Sequence, residues 1–168
     1  MIIFFIFWLF VVLFLVYLTL QLLYLWQGPP FVESDDKSIE HIITFVNLYK
    51  PKRIIDIGSG NGKLVIALAR KGYYVDGIEI NPILSKKSQI SIKRAGLKNA
   101  RIFWGNFWSF DVSDYDMVVL YLINHVMPKM QKKLEKELSQ KSIILSNYAS
   151  FPSLTKIAQN ERIQVYKI

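Results

Sequence analysis

Residues 54–63 read Ile54-Ile55-Asp56-Ile57-Gly58-Ser59-Gly60-Asn61-Gly62-Lys63. A short apolar run gives way to three glycines, which marks a strand passing through a tight turn into a helix. Two phosphate-binding motifs can be compared with it. The dinucleotide fingerprint G-x-G-x-x-G requires a glycine where Lys63 stands, and the P-loop G-x-x-x-x-G-K-[ST] requires one more residue between its glycines. Neither spacing is met. Asp56 precedes the glycines, and a second carboxylate, Glu79, closes the next apolar run 23 residues later.

Around this turn the pattern alternates. Arg53–Ile57 reads as a strand, residues 62–71 as a helix, and 73–80 as a second strand. Asn81-Pro82 then opens a helix with an N-cap and proline at its first position. That helix reaches about Ala95 and ends at Gly96, its inward stripe predicted at Leu84, Ser88, Ser91 and Ala95. Strands are expected over 101–104, 115–122 and 142–147, with a helix over 127–138 and one last strand over 162–167. Upstream, Ile39, Ile42, Ile43 and Val46 recur at helical spacing over 36–49, with Ser34 or Asp35 as cap. Strands alternating with helices imply an α/β fold with a doubly wound, mostly parallel sheet. Ligands of such sheets bind beyond the carboxyl ends of the strands, where IIDIGSGNGK lies.

The amino terminus differs in kind. The first 32 of the 168 residues carry no charged side chain, and residues 2–26 are broken only by Thr19 and Gln21. About 20 apolar residues span a bilayer core, so a transmembrane helix is expected, with Tyr24 and Trp26 at its interface. A signal peptide would need a basic start, a shorter apolar core and a small-residue cleavage site. Gln27-Gly28-Pro29-Pro30 ends the helix as a short stiff linker, dividing the chain into an anchor, 1–27, and a domain, 28–168. The domain carries the full net charge of +8, favouring the cytoplasmic side of the membrane. Lys86, Lys87, Lys93, Arg94, Lys98 and Arg101 form a run with no acid among them, suited to lipid headgroups or RNA phosphates. Aromatic interleaving is absent from it, which argues against nucleic acid. There is no cysteine, hence no disulfide framework, and no metal is expected.

The order strand, Asp56, Gly58, Ser59, Gly60, Gly62, helix, strand, Glu79 resembles motif I and its acidic partner in the class I, seven-β-strand methyltransferases. These use S-adenosylmethionine (SAM). The resemblance implies that the glycine loop lies against SAM, that Glu79 takes the ribose hydroxyls, and that Asn106 and Phe107, after the third strand, meet the adenine. It also allows the domain to face the SAM-containing side of an organelle membrane. A narrower resemblance rests on Gly28-Pro29-Pro30-Phe31-Val32, Gly77-Ile78-Glu79-Ile80-Asn81-Pro82, Gly105-Asn106-Phe107-Trp108 and Met127-Pro128-Lys129-Met130. The chain is similar over these to the small membrane-anchored protein-lysine methyltransferases. Those include the enzymes acting on adenine nucleotide translocase and on the ATP synthase c-subunit, with shorter prokaryotic relatives.

The chain departs from that family at Asn61, where an acid is usual, and in showing one closing strand where a hairpin is common. No Asn-Pro-Pro-Tyr ends the fourth strand, so amide or base-nitrogen methylation is not indicated. The implied reaction is methyl transfer from SAM to a lysine amine of a protein, which can itself be membrane-embedded. Tyr121 and His125 are the candidate catalytic residues, with Tyr148 and Phe31 behind them. A lipid-soluble small molecule as acceptor, or SAM binding without turnover, remain the alternatives.

Overall fold

The computed structural model describes residues 1–26 and 34–168, and within the first helix the side chains of 1 and 4–19. The expected linker and Phe31 lie outside the described residues. The chain divides into two compact units, one holding α1 (Ile2–Trp26) and the other everything from α2 onward.

In α1 the described large apolar side chains from Phe4 to Leu18 are nearly all exposed. Thr19 turns its hydroxyl back onto the carbonyls of Leu15 and Val16, 3.0 and 2.8 Å away. Among the described residues, however, no helix is long and apolar enough to cross a membrane. The transmembrane helix expected over 2–26 is therefore not supported here.

The second unit is a seven-stranded sheet in the order β3-β2-β1-β4-β5-β7-β6, with β7 antiparallel to both its neighbours. Its strands are β1 (Arg53–Ile57), β2 (Tyr74–Glu79), β3 (Ala100–Trp104), β4 (Met117–Leu120), β5 (Ile143–Asn147), β6 (Lys156–Asn160) and β7 (Ile163–Lys167). The helices are α2 (Asp36–Tyr49), α3 (Lys63–Arg70), α4 (Pro82–Arg94) and α5 (Met127–Glu137). Alternate residues of the central strands face opposite layers, as the strand period of two requires. Ile54, Val75, Met117 and Leu145 pack with Ile42 and Val46 of α2 and Leu68 of α3. Ile55, Ile78, Val118 and Ile144 pack on the other face with Met130 and Leu134 of α5. Being covered on both sides explains why β4 is apolar throughout and why β1 and β5 carry the runs Ile54-Ile55 and Ile143-Ile144-Leu145. Asp35, not Ser34, caps α2, accepting from Ser38 N at 2.8 Å.

Three expectations need correction. The sheet closes with a hairpin, β6–β7, where the sequence pattern shows only one strand, because β6 is largely exposed and has no apolar alternation. The sheet edge is thus complete. Strand β4 stops at Leu120, two residues early, since its partner β1 runs out at Ile57. In α4 the buried stripe is Ser85, Ser88 and Ile92, with Ala95 exposed. The helix is rolled so that Ser88 sits against Gly62, where an added Cβ would come within 2.7 Å of the serine Cβ.

Candidate active site

The glycine turn is held from below by β2. Gly58 N and Ser59 N both donate to the carbonyl of Ile78, at 2.9 and 3.1 Å. Gly58 adopts φ 77°, a left-handed conformation that glycine alone takes without strain, and a Cβ there would meet nothing within 4 Å. The backbone therefore borders open space at this point. Gly62 (φ 78°) caps α3 without a side-chain hydrogen bond, and its bare Cα admits Ser88. Asn61 Oδ1 accepts from Lys63 N at 3.2 Å, so the residue that breaks the family's acidic habit shapes the first turn of α3.

Two carboxylates are buried beneath the loop. Asp56, the fourth residue of β1, and Glu79, the last of β2, are each 7% exposed. Glu79 does more than await a ligand. Its Oε2 accepts from Gly60 N at 2.8 Å and its Oε1 from Asn81 N at 2.7 Å, tying the glycine loop to the cap of α4. A carboxylate has about four acceptor positions, so capacity for hydroxyl donors remains on both oxygens. Burial, and next the charge of Glu79, push the Asp56 carboxyl up to about 7. A cation bound beside these two buried carboxyls would relieve the crowding that raises Asp56. Beside them Ser59 Oγ is buried with no hydrogen-bond partner among the described residues, as is Ser85 Oγ on α4. The open face of Gly58, the unpartnered hydroxyl and the electron-rich pair suit a polar cationic ligand bearing hydroxyl groups, which SAM is.

The third wall follows β3. Gly105 N donates to the carbonyl of Glu79 at 3.0 Å, placing Asn106 and Phe107 next in line. Asn106 is exposed, and its Oδ1 accepts from Trp108 N at 3.0 Å, so its carbonyl already shapes the turn and its amide is the part free to face a ligand. Phe107 is half-buried against Trp108, ring centroids 4.8 Å apart, and Lys129 caps the Trp108 ring at 4.3 Å.

The strands that carry this arrangement run in an order shared with known enzymes. The model of the ANTKMT methyltransferase domain matches residues 56–158, from the buried aspartate into β6. The chain belongs to the ANTKMT methyltransferase domain family. Members of this family have a class I methyltransferase fold, and SAM is the cofactor of that fold. The chain is 33% identical over 127 residues to the human lysine N-methyltransferase of the ATP synthase c-subunit, covering 75% of this chain and 54% of the relative. It is 28% identical over 122 residues to a protein-lysine N-methyltransferase of Saccharolobus islandicus, covering 70% and 75%. Among solved structures it is similar to an RNA methyltransferase from Salinibacter ruber in complex with S-adenosyl-L-homocysteine. There the TM-score is 0.72 at 26% identity, over 80% of this chain and 91% of that one. The chain spans about half the length of the human relative.

Within this ANTKMT-type domain, Tyr121 lies just past β4 and is 36% exposed. His125 is exposed on a 3-10 turn, Asn124–Val126, four residues further on. The structure thus sets both at the same carboxyl-terminal rim as the glycine loop. Tyr148, a lesser candidate in the sequence, is more prominent in three dimensions. It follows β5, is 64% exposed, and holds φ 80°, left-handed for a bulky residue. Its N donates to Arg162 O at 2.9 Å and its carbonyl accepts from Gln164 Nε2 at 3.2 Å, so the hairpin fixes it there. Such strain clusters at functional positions, and nothing in the local sequence signals it. Nor does the sequence reveal that Ser85 is unpartnered. Among the described residues no group of acids and histidines could hold a metal ion.

A cavity of about 530 Å³ lies elsewhere, at the amino ends of the strands, lined by Lys52, Arg53, Tyr74, Asp76, Lys98, Asn99 and Arg101. Asp76 occupies its cations: Arg101 Nε and Nη2 each stand 2.9 Å from it, Arg53 Nη2 3.3 Å, and the Tyr115 hydroxyl 2.8 Å. It lies at the wrong end of a parallel sheet, and with both arginines held by Asp76 it is a structural clamp.

Proposed function

We propose that the chain is a SAM-dependent protein-lysine N-methyltransferase working at a membrane. One juxtaposition carries the reading. The buried Asp56–Glu79 pair under an open glycine loop lies at the same end of the sheet as two exposed tyrosines, Tyr121 and Tyr148. A cofactor cradle beside an aromatic lip suits a flexible amine as acceptor, and the names of the relatives support it.

Gly58, Ser59, Gly60 and Gly62 would hold the cofactor's amino-acid part, Glu79 its ribose hydroxyls, and Asn106 and Phe107 its adenine. Bound there, SAM supplies a methyl group activated by its sulfonium charge. Tyr121 and Tyr148 receive the acceptor's aliphatic stem and align its nitrogen, the main requirement for displacement in line. The lysine must be neutral to attack, and desolvation in this lip beside a cation lowers its pKa. His125, exposed on the following turn, passes the released proton to water.

The membrane part of the proposal rests on α1 and on charge. The described large apolar side chains of α1 are nearly all exposed, the first 32 residues have no charged side chain, and the net charge of +8 lies after them. We place the helix in a single-pass anchor, with the domain on the side that contains SAM. The acceptor would then be a membrane-embedded or membrane-adjacent protein.

The test adds methyl-labelled SAM to host membranes with the wild type and with Asp56→Ala. Label should appear as methyl-lysine after protein hydrolysis with the wild type alone. Label extracted into organic solvent would instead identify a lipid-soluble acceptor. No difference between the two proteins would end the claim of enzymatic activity.

A further inference from the structure

The outer face of α4 has an unusual composition for a solvated surface. Its buried side is Ser85, Ser88 and Ile92, so the opposite side faces outward. Ile83 and Ile90 stand there, 69% and 41% exposed, seven residues or about two turns apart and hence in line. Lys86 and Lys93, also seven apart, run along one side of that line. Lys87 and Arg94 run along the other, and all four are exposed. The helix contains no acidic residue. At its amino-terminal end Trp104 is 65% exposed and donates its indole N–H to the carbonyl of Ile80 at 3.1 Å, which fixes the ring beside the first turn.

A solvated face would scatter both signs of charge and omit the isoleucines. An apolar line bordered by two rows of cations, with a tryptophan at one end, matches an interfacial helix face. There aliphatic side chains enter the acyl boundary while Lys and Arg reach the headgroups. RNA would engage the cations but leave Ile83 and Ile90 in water, and α4 itself carries no aromatic ring for base stacking. We propose that α4 docks flat on an anionic phospholipid surface through Ile83, Ile90 and the flanking Lys86, Lys87, Lys93 and Arg94. This contact belongs to the globular domain and is separate from α1. It also stands whatever the methyl acceptor is. Since α4 begins three residues after Glu79, docking sets the rim of the active site close to the lipid.

The absence of cysteine permits a clean test in the full-length chain. Ile90→Cys carries an environment-sensitive fluorophore, and Leu48→Cys, at an exposed position of α2, serves as the control. Each is mixed with phosphatidylcholine vesicles or with vesicles containing roughly a third phosphatidylglycerol, and sedimentation establishes that the chain is bound. On the anionic vesicles the label at 90 should shift to the blue and be quenched at least about twofold more than the label at 48 by spin-labelled lipid. Lys86→Gln/Lys87→Gln/Lys93→Gln/Arg94→Gln, with helicity verified by circular dichroism, should abolish the difference. So should salt above about 0.5 M, where the screening length falls to a few ångströms. Three results would overturn the proposal: equal quenching at 48 and 90 on bound chain, an equal response on neutral vesicles, or a response to a structured RNA in place of vesicles.

Discussion

Replacing Asp56 by asparagine should stabilise the cofactor-free protein at alkaline pH, although the residue lies at the heart of the site. Its carboxyl is 7% exposed and is pushed from 3.8 up to about 7. A folded-state pKa above the unfolded one means the native state holds its proton where the unfolded chain has lost it. Stability therefore falls as pH rises from about 4 to about 7 and is level beyond. Each pKa unit is worth about 1.4 kcal/mol, so roughly 3 units make the ionised carboxylate cost about 4 kcal/mol above neutrality. Asp56→Asn removes this penalty but buries an amide whose hydrogen bonds are incomplete, leaving a gain of roughly 2–3 kcal/mol at pH 8. Below pH 4, where the carboxyl is neutral in both states, only the cost of the amide remains and the variant should be the weaker by about 1–2 kcal/mol. Urea unfolding of the full chain in detergent, followed by tryptophan fluorescence at pH 4 to 9, measures it. In Glu79→Gln the inflection should move to lower pH, because the charge of Glu79 is the second cause of the shift. A wild-type profile that is flat from pH 4 to 8, or an asparagine variant weaker at pH 8, would refute the reasoning.

The glycines of the loop should separate by role. Gly58→Ala meets only backbone strain, about 1–2 kcal/mol, and should chiefly weaken SAM binding, whereas Gly62→Ala adds a 2.7 Å clash with Ser88 and should lower Tm further; calorimetry with and without cofactor distinguishes them. Tyr148→Gly relieves a left-handed φ of 80°, so Tm should hold or rise while KM for the acceptor increases; a fall in Tm of several degrees would deny that the residue is strained. For Asp76, burial raises its pKa but the hydrogen bonds from Arg101 and Tyr115 outweigh this and hold it low. Asp76→Asn should cost roughly 2 kcal/mol at pH 7, allowing for the partly exposed arginines, and the difference from wild type should shrink as pH falls below about 4.

Strands β1 and β5 were legible because burial on both faces gives them the apolar runs Ile54-Ile55 and Ile143-Ile144-Leu145, and α4 because Asn81 and Pro82 cap it. Strand β6 was not, since Lys156, Ile157 and Gln159 face solvent and pairing with β7 defines it. On α4 the expected Ser88 is buried, but Leu84, the more apolar choice, gives way to the small Ser85, and Ile92 takes the place of Ser91 and Ala95. At the site, residue types and spacing named Asp56, the glycines and Glu79. They could not disclose that both Glu79 oxygens already hold backbone amides, or that burial and Glu79 raise the Asp56 carboxyl, since both depend on side chains meeting across neighbouring strands. Tyr148 gained weight only from its backbone angle.

The Asp76 clamp bears on where the sheet can breathe. From β2 this carboxylate grips Arg53 at the head of β1, Arg101 in β3 and Tyr115 on the approach to β4. Four adjacent strands are thereby bound at one margin, like pages at a spine. At the opposite margin the Glu79 carboxylate holds the glycine loop and the start of α4 through one backbone amide each. Local opening should follow this asymmetry, with amide exchange slow around Asp76 and faster at the rim where a cofactor must enter and leave. The molecule then admits its cofactor by loosening one side while its frame stays closed on the other.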